Sequence, residues 1–367
     1  MGRSRALDVI RGIAILMVLI WHYLPRGSGT PEFLVFSTRL FWSGVDLFFV
    51  LSGFLIAGIL LDNAQAKNYF SVFYIRRGVR ILPLYLLLCL VFGIVLHYHP
   101  QIIRTSFNQH LPFWSYPTFT QNFLYAGRNF FNDPWMDVTW SLAVEEQFYI
   151  FLSILIRNTS RRNAAIVSIL LILLAPILRI FSTDLQAYIL PLQRADSLML
   201  GVLLAILWRS ERGKQLLYKY APVIRWSLLF FLAGAVYLVY RDTSYGDVIG
   251  HFWLALLYGQ VVVLALTSDP LKQGPVFKNR VLEWLGLRSY GIYLLHRPIA
   301  VVTPVFLRIA FDFRPIWWVN LLMKAAVLFF ISELSYRLLE KPIMELGHRF
   351  KYHRPVAGSP APAGRRP

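Results

Sequence analysis

The sequence predicts an all-α fold: a polytopic integral membrane bundle of about ten transmembrane helices with both termini on the cytoplasmic side. Three observations carry this. Apolar runs near 20 residues, the length that crosses a bilayer, recur along the 367-residue chain. Only 15% of the residues are charged and 57% are hydrophobic, where a soluble domain carries about 25% charged residues. The basic residues, finally, divide unevenly between the two sets of connecting segments. The sequence lacks the alternating stretches of about ten residues that mark a membrane β-barrel.

The spans fall at 9–24, 39–61, 79–97, 139–156, 164–181, 188–208, 223–240, 248–267, 289–310 and 316–338. With the N-terminus inside, the cytoplasmic segments and their span ends hold 24 Lys and Arg, the outer ones 6. This asymmetry sets the orientation and accounts for the net charge of +18 without a nucleic-acid partner. The first span is read as a retained helix. Asp8, Arg11 and His22 interrupt it, and no small-residue cleavage site follows. A transmembrane domain over 1–344 is expected to precede a basic, Pro- and Gly-rich cytoplasmic tail, 345–367, predicted to be disordered. The long outer loop, 98–138, has the length to form a lid. Cys89 is the single cysteine, so a disulfide within the chain is excluded.

Candidate chemistry begins with Arg11 and His22. Eleven helical residues turn about three times and rise roughly 16 Å, so both lie on one helix face at two depths. Titratable side chains at membrane depth are costly and mark functional sites by default. Asp46, Glu145 and Glu146 fall at the depth of His22, on spans running the other way. A histidine with carboxylates at one level suits a general base held in one tautomer. The same residues also suit interhelical hydrogen bonds that specify packing. Glu145 and Glu146 project about 100° apart, so one of them is expected to face the site. On the cytoplasmic side, Arg76, Arg77 and Arg80 suit phosphate oxygens, since guanidinium forks bind them bidentately. Positive-inside anchoring explains the same residues.

Further along lie His296 and Arg297, then Glu333, Tyr336, Arg337 and Glu340. Arg337, Glu340 and Asp196 read as structural pairs, whereas His296 and Glu333 stay open between pairing and function. In the outer loop, Phe113, Trp114, Tyr116 and Trp135 suit sugar rings or interfacial anchoring equally. The sequence contains neither a glycine-rich phosphate loop of the Walker type nor HExxH. His97 and His99 point apart on a helix, and no metal site is expected.

Together these segments resemble the membrane-bound acyltransferase-3 family. Leu7-Asp8 through Arg11-Gly12 to His22 is similar to its opening pattern. Ser43-Gly44-Val45-Asp46 through Ser52-Gly53-Phe54 is similar to its second helix, and Arg77 and Arg80 to its paired arginines. Trp140-Ser141-Leu142 to Glu145-Glu146-Gln147-Phe148-Tyr149, Ser289-Tyr290-Gly291 to His296-Arg297-Pro298, and Glu340-Lys341-Pro342 match in order. The resemblance spans roughly residues 5–345.

It implies an O-acyltransferase moving an acyl group, by default acetyl, from acyl-CoA to a hydroxyl. The acceptor would be a sugar of a surface or exported glycan, or a glycosylated metabolite. The setting it implies is a bacterial inner (cytoplasmic) membrane, with membrane lipid around the bundle. Under it His22, Asp46, Glu145 and Glu146 are the catalytic candidates, with Asp46 orienting His22. Arg77, Arg80, Arg76 and Arg11 are the donor-binding candidates, and Trp140, Tyr149, His296 and Glu333 the substrate-binding ones. An acyl-histidine is the rival mechanism. The chain ends about 25 residues after the last span, which implies a form without the C-terminal hydrolase-like domain of some members. The competing class is a proton-coupled secondary transporter of an anionic or sugar substrate. The repeated halves common in such transporters are not found in the sequence.

Overall fold

A computed structural model describes residues 4–25, 30–99, 110–241, 248–268 and 274–353. Residues 354–367 of the expected tail, and 100–109 of the outer loop, lie outside the described residues. Among the described residues the secondary structure is helical, with no strand.

The helices are α1 (Arg5–Tyr23), α2 (Glu32–Ser37), α3 (Gly44–Asn63), α4 (Tyr69–Tyr98) and α5 (Gln121–Arg128). Next come α6 (Trp140–Asn158), α7 (Arg161–Ile180), α8 (Asp184–Ile189), α9 (Ala195–Trp208) and α10 (Glu211–Tyr240). The last are α11 (Gly250–Thr267), α12 (Arg280–Leu287), α13 (Ser289–Phe311), α14 (Trp317–Ser335) and α15 (Lys341–His348). A π-helical turn, Tyr336–Glu340, joins α14 to α15.

Among the described residues, eight helical segments are long and apolar enough to cross a membrane. Two more predicted spans correspond to α6 and α9. Glu145, Glu146 and Gln147 lower the hydropathy of α6, and α9 is only 14 residues long. The predicted span 188–208 is broken: α8 stops at Ile189, after which Pro191 has no N–H to offer a helix. Two helices begin earlier than predicted, α4 at Tyr69 and α10 at Glu211. Hydropathy finds the apolar middle of such a helix and misses a polar first turn. The predicted tail boundary at 344 falls inside α15, and the chain as far as His353 stays against the bundle. His353 O accepts from Lys67 N at 3.1 Å and Lys351 O from Asn68 at 2.9 Å.

Contacts between connecting segments assign them to two faces. Arg5 pairs with Glu283 at 2.9 Å, Arg209 with Asp62 at 2.7 Å, and Arg157 bonds Ala66 O at 3.3 Å. With the Lys67–His353 bond, these hold the basic segments on one face. On the other, Thr183 bonds Asn129 at 2.7 Å and Arg297 pairs with Asp137 at 2.8 Å. These contacts agree with the alternation that the charge pattern predicts.

Small residues let four helices touch at backbone distance. A Cβ on Gly12 would lie 1.9 Å from Leu282 O, and one on Gly286 1.8 Å from Asp8 O, so α1 lies directly on α12. Gly44 brings α3 against Ala14 O of α1. Gly53 and Gly201 press α3 onto α9, where added Cβ atoms would lie 2.0 Å from Leu198 O and 2.2 Å from Val50 O. The perimeter is apolar: Leu86, Leu90 and Ile94 of α4, Leu170, Leu173 and Ile177 of α7, and Trp226 and Phe230 of α10 are exposed. A hydrocarbon surround satisfies such a surface.

Candidate active site

A cavity of about 120 Å³ lies between α1, α3, α4, α6 and α13. Arg11, Arg77, Arg80 and Glu145 supply its charged groups, and Ser52, Ser141, Tyr149, Ser289, Tyr290 and Tyr293 its hydroxyls. Apolar side chains such as Val45, Phe48, Leu55 and Leu294 complete the wall.

The early start of α4 places the arginine pair at this depth. Arg77 and Arg80 stand eight and eleven residues after Tyr69, so about 12 and 16 Å along the helix. The pair is thus inside the bundle, where span prediction put it at the membrane entry. Arg11 reaches the same cavity from α1 and lies 3.5 Å from Asp8. The Arg77 guanidinium sits over the Tyr149 ring at 4.5 Å, and its Nε is buried without a hydrogen-bond partner. Tyr149 in turn shares a 2.6 Å hydrogen bond with Ser52. Three guanidinium groups thus face one lining carboxylate. Buried charges are ordinarily paired, so this excess of positive charge is suited to an anion.

Of the two glutamates, Glu145 lines the cavity and Glu146 does not. Glu146 lies behind the wall with Oε1 buried and unpartnered. The 100° offset between neighbours on a helix separates them. The same offset turns Arg76 away from the cavity. Its Nε and Nη2 bond Phe350 O at 2.9 and 2.6 Å, and its guanidinium rests over Tyr352.

The Tyr293 hydroxyl shares a 2.6 Å hydrogen bond with Ser141 and donates to Val138 O at 3.0 Å. Toward the opposite face, the His296 ring lies 5.6 Å from that of Tyr293, and the His22 ring 4.9 Å from His296. His22 Nδ1 is 2.9 Å from Val18 O, and His296 Nδ1 is 2.6 Å from Tyr293 O. A carbonyl only accepts, so each Nδ1 carries a proton. Tyr23 donates to His296 O at 2.9 Å, tying α1 to α13 beside the pair.

Asp46 is fully buried and does not pair with His22 as expected. Its Oδ1 is 2.5 Å from Arg194 and 3.3 Å from His251, and Arg194 also bonds His251. Nearby, Arg179 and Asp196, both buried, pair at 2.8 Å. Asp46 therefore belongs to a polar core between α3, α9 and α11. Hydropathy gave no hint of Arg194 and His251 as its partners, because both lie at ends of apolar runs. Trp140 packs edge-on against Phe49, a cavity residue, with 6.0 Å between ring centres. Glu333 does not line the cavity: it forms ion pairs with Arg288 and Arg337 and accepts from Trp284 Nε1 at 3.1 Å. Ser52, Ser141, Tyr290 and Tyr293 were missed as candidates, although all four stand in the quoted motifs.

In the outer loop, Asp133 accepts from Tyr116, from Tyr125 at 3.4 Å and from Leu111 N at 3.3 Å, and also pairs with His110. Burial pushes the Tyr116 and Tyr125 phenols far above their usual range, keeping both as donors. Tyr116 and Trp135 are therefore core residues, while Phe113 and Trp114 remain exposed.

Residues 4–334 match the family described as an acyltransferase domain, acyltransferase 3. The chain is 29% identical to the peptidoglycan O-acetyltransferase OatA of Listeria monocytogenes, over 93% of this chain and 56% of the relative. It is 28% identical to the putative peptidoglycan O-acetyltransferase YrhL of Bacillus subtilis, over 94% and 55%. A putative O-acetyltransferase of Staphylococcus aureus is 28% identical, over 95% and 58%. The chain thus spans a little over half the length of these curated relatives. No solved structure matches it.

Proposed function

The chain belongs to the acyltransferase-3 family, and from that premise we propose that it is a membrane O-acyltransferase using acyl-CoA, with acetyl as the default acyl group. The acceptor is a sugar hydroxyl of a surface or exported glycan, and the setting a bacterial cytoplasmic membrane. The names of the relatives make peptidoglycan the first acceptor to try.

The observation that carries this reading is the charge of the cavity: Arg11, Arg77 and Arg80 against Glu145. A phosphate-bearing donor suits such a place, and the unpartnered Arg77 Nε is a donor aimed at no protein group. The bound donor supplies an activated acyl carbonyl. Arg77 and Arg80 hold negative charge below it. Tyr293 and Ser141 line the cavity with hydroxyls on the side of His296 and His22. Val18 O fixes the His22 tautomer, leaving Nε2 to take the proton of the acceptor hydroxyl. Glu145 faces the same cavity and is placed to exchange protons or to hold an acceptor hydroxyl.

The test supplies radiolabelled acetyl-CoA and membrane glycan to purified protein. Wild type is expected to label glycan. His22→Ala is expected to abolish labelling while still binding donor, and Arg77→Ala with Arg80→Ala to lose donor binding. Label held on the wild-type protein would indicate an acyl-histidine. A folded wild type that neither binds nor turns over donor overturns the proposal.

A further inference from the structure

We infer that the hydroxyls of Ser141 and Tyr293 form a subsite that only accepts hydrogen bonds, and that it receives an amide N–H of the donor's thiol-bearing arm. This rests on the acyl-CoA reading above.

Ser141 is buried at the start of α6, Tyr293 stands on α13, and both line the cavity. Counting protons shows what the pair can offer. Each hydroxyl has one proton to give and two lone pairs to receive with. The two oxygens are 2.6 Å apart, a distance that requires a proton between them. The other proton is claimed by Val138 O, which lies 3.0 Å from the Tyr293 hydroxyl and 3.2 Å from that of Ser141. Either Tyr293 donates to the carbonyl and Ser141 to Tyr293, or Ser141 donates to the carbonyl and Tyr293 to Ser141. Both arrangements spend both protons inside the protein and leave lone pairs on both oxygens. A ligand acceptor is met only by breaking one of these bonds, whereas a ligand donor is met without breaking any.

Ser52 and Tyr149 make the contrast. They also share a proton, at 2.6 Å, but among the described residues neither donates to a carbonyl. That pair keeps a proton to give. The cavity thus has a donating pair beside Arg77, which rests over Tyr149, and an accepting pair beside His296, whose ring is 5.6 Å from that of Tyr293.

This polarity selects a ligand group. A phosphate or thioester oxygen only accepts, so neither suits Ser141 and Tyr293. A sugar hydroxyl both donates and accepts, so half of its capacity goes unmet there. An amide N–H only donates. Acyl-CoA carries two amides in the arm that joins its phosphates to its sulfur. With the phosphates at Arg77 and Arg80 and the thioester toward His22, the amides fall between, and one N–H finds its acceptor in this pair.

The test uses full-length protein in lipid vesicles and a non-hydrolysable thioether analogue of acetyl-CoA, followed by equilibrium binding. In further analogues the N–H of each arm amide is replaced in turn, once by CH2 and once by oxygen. Wild type is expected to bind the CH2 analogue of one amide about 3- to 30-fold more weakly, the range for one uncharged hydrogen bond and an acceptor left unmet. The oxygen analogue of that amide is expected to bind more weakly still, because it sets a lone pair against lone pairs. Ser141→Ala with Tyr293→Phe removes both oxygens, and the three ligands should then bind within about twofold of one another. Each single variant keeps one accepting oxygen and part of the preference. An oxygen analogue that binds as well as the amide shows the pair turning a proton outward and overturns the inference. So does a wild type indifferent to every replacement, or a preference that survives intact in the double variant. If the double variant does not fold, a preference unchanged in both single variants overturns the inference in its place. Failure of folded wild type to bind the parent analogue overturns the acyl-CoA reading and the inference with it.

Discussion

Arg77 lies over the ring of Tyr149, 4.5 Å from its centre, and the phenol oxygen of Tyr149 is fixed by Ser52 at 2.6 Å. The aromatic face orients the guanidinium without neutralising it, because the ring contributes a quadrupole and no formal charge. The arginine therefore keeps its capacity for an anionic ligand. Tyr149→Phe preserves the ring and is expected to leave donor affinity within about threefold, while Tyr149→Leu removes it and lowers affinity by about 3- to 30-fold. Equilibrium binding of a non-hydrolysable acyl-CoA checks this, and equal affinities in the two variants would show that the ring is irrelevant.

Arg80→Lys retains charge but loses the planar fork. A donor held through phosphate oxygens should then bind about tenfold more weakly, and Arg80→Gln should bind weaker still. Titrations at two salt concentrations decide the point. Charge alone is responsible if Lys binds as well as Arg.

The buried pair of Asp46 and Arg194 is a stability element. Arg194→Ala leaves Asp46 with His251 but without its guanidinium partner, and the loss should approach the about 3–5 kcal/mol of broken buried pairs. Thermal unfolding in detergent should show a large drop in midpoint, partly reversed by adding Asp46→Asn. If the double variant is no more stable than Arg194→Ala, the two residues are not coupled.

Glu333 gives the opposite contrast. It sits in ion pairs with Arg288 and Arg337 away from the cavity, so Glu333→Gln is expected to leave donor KM within about twofold, the typical range for surface ion pairs. A selective rise in acceptor KM would restore it to the substrate site.

Much of this architecture is legible in the sequence because membrane burial imposes a simple rule. A stretch such as 248–267 cannot avoid being a span, and α11 occupies Gly250–Thr267. Helix ends are less legible, because Tyr69–Val79 of α4 is too polar for a hydropathy window yet continues the hydrogen-bond ladder. The convergence of Arg11, Arg77 and Arg80 depends on that extension. Local spacing does separate Glu145 from Glu146 and Arg77 from Arg76, since neighbours on a helix diverge. Partner choice is another matter. Nothing in the order of residues says that Asp46 meets Arg194, 148 positions away, because that is decided by how α3 and α9 pack.

The glycine contacts joining α12 to α1, α1 to α3 and α3 to α9 have a mechanical consequence. Where backbones touch, no side chains remain to slide or change rotamer, so these four helices can separate only by breaking whole seams at once. Arg11, Ser52 and the other cavity groups of α1 and α3 are thereby mounted on an unyielding frame. α4 has Leu86, Leu90 and Ile94 exposed along one side, with no such seam behind them. Arg77 and Arg80 stand on α4, whose own glycines, Gly78 and Gly93, meet side chains and not backbone.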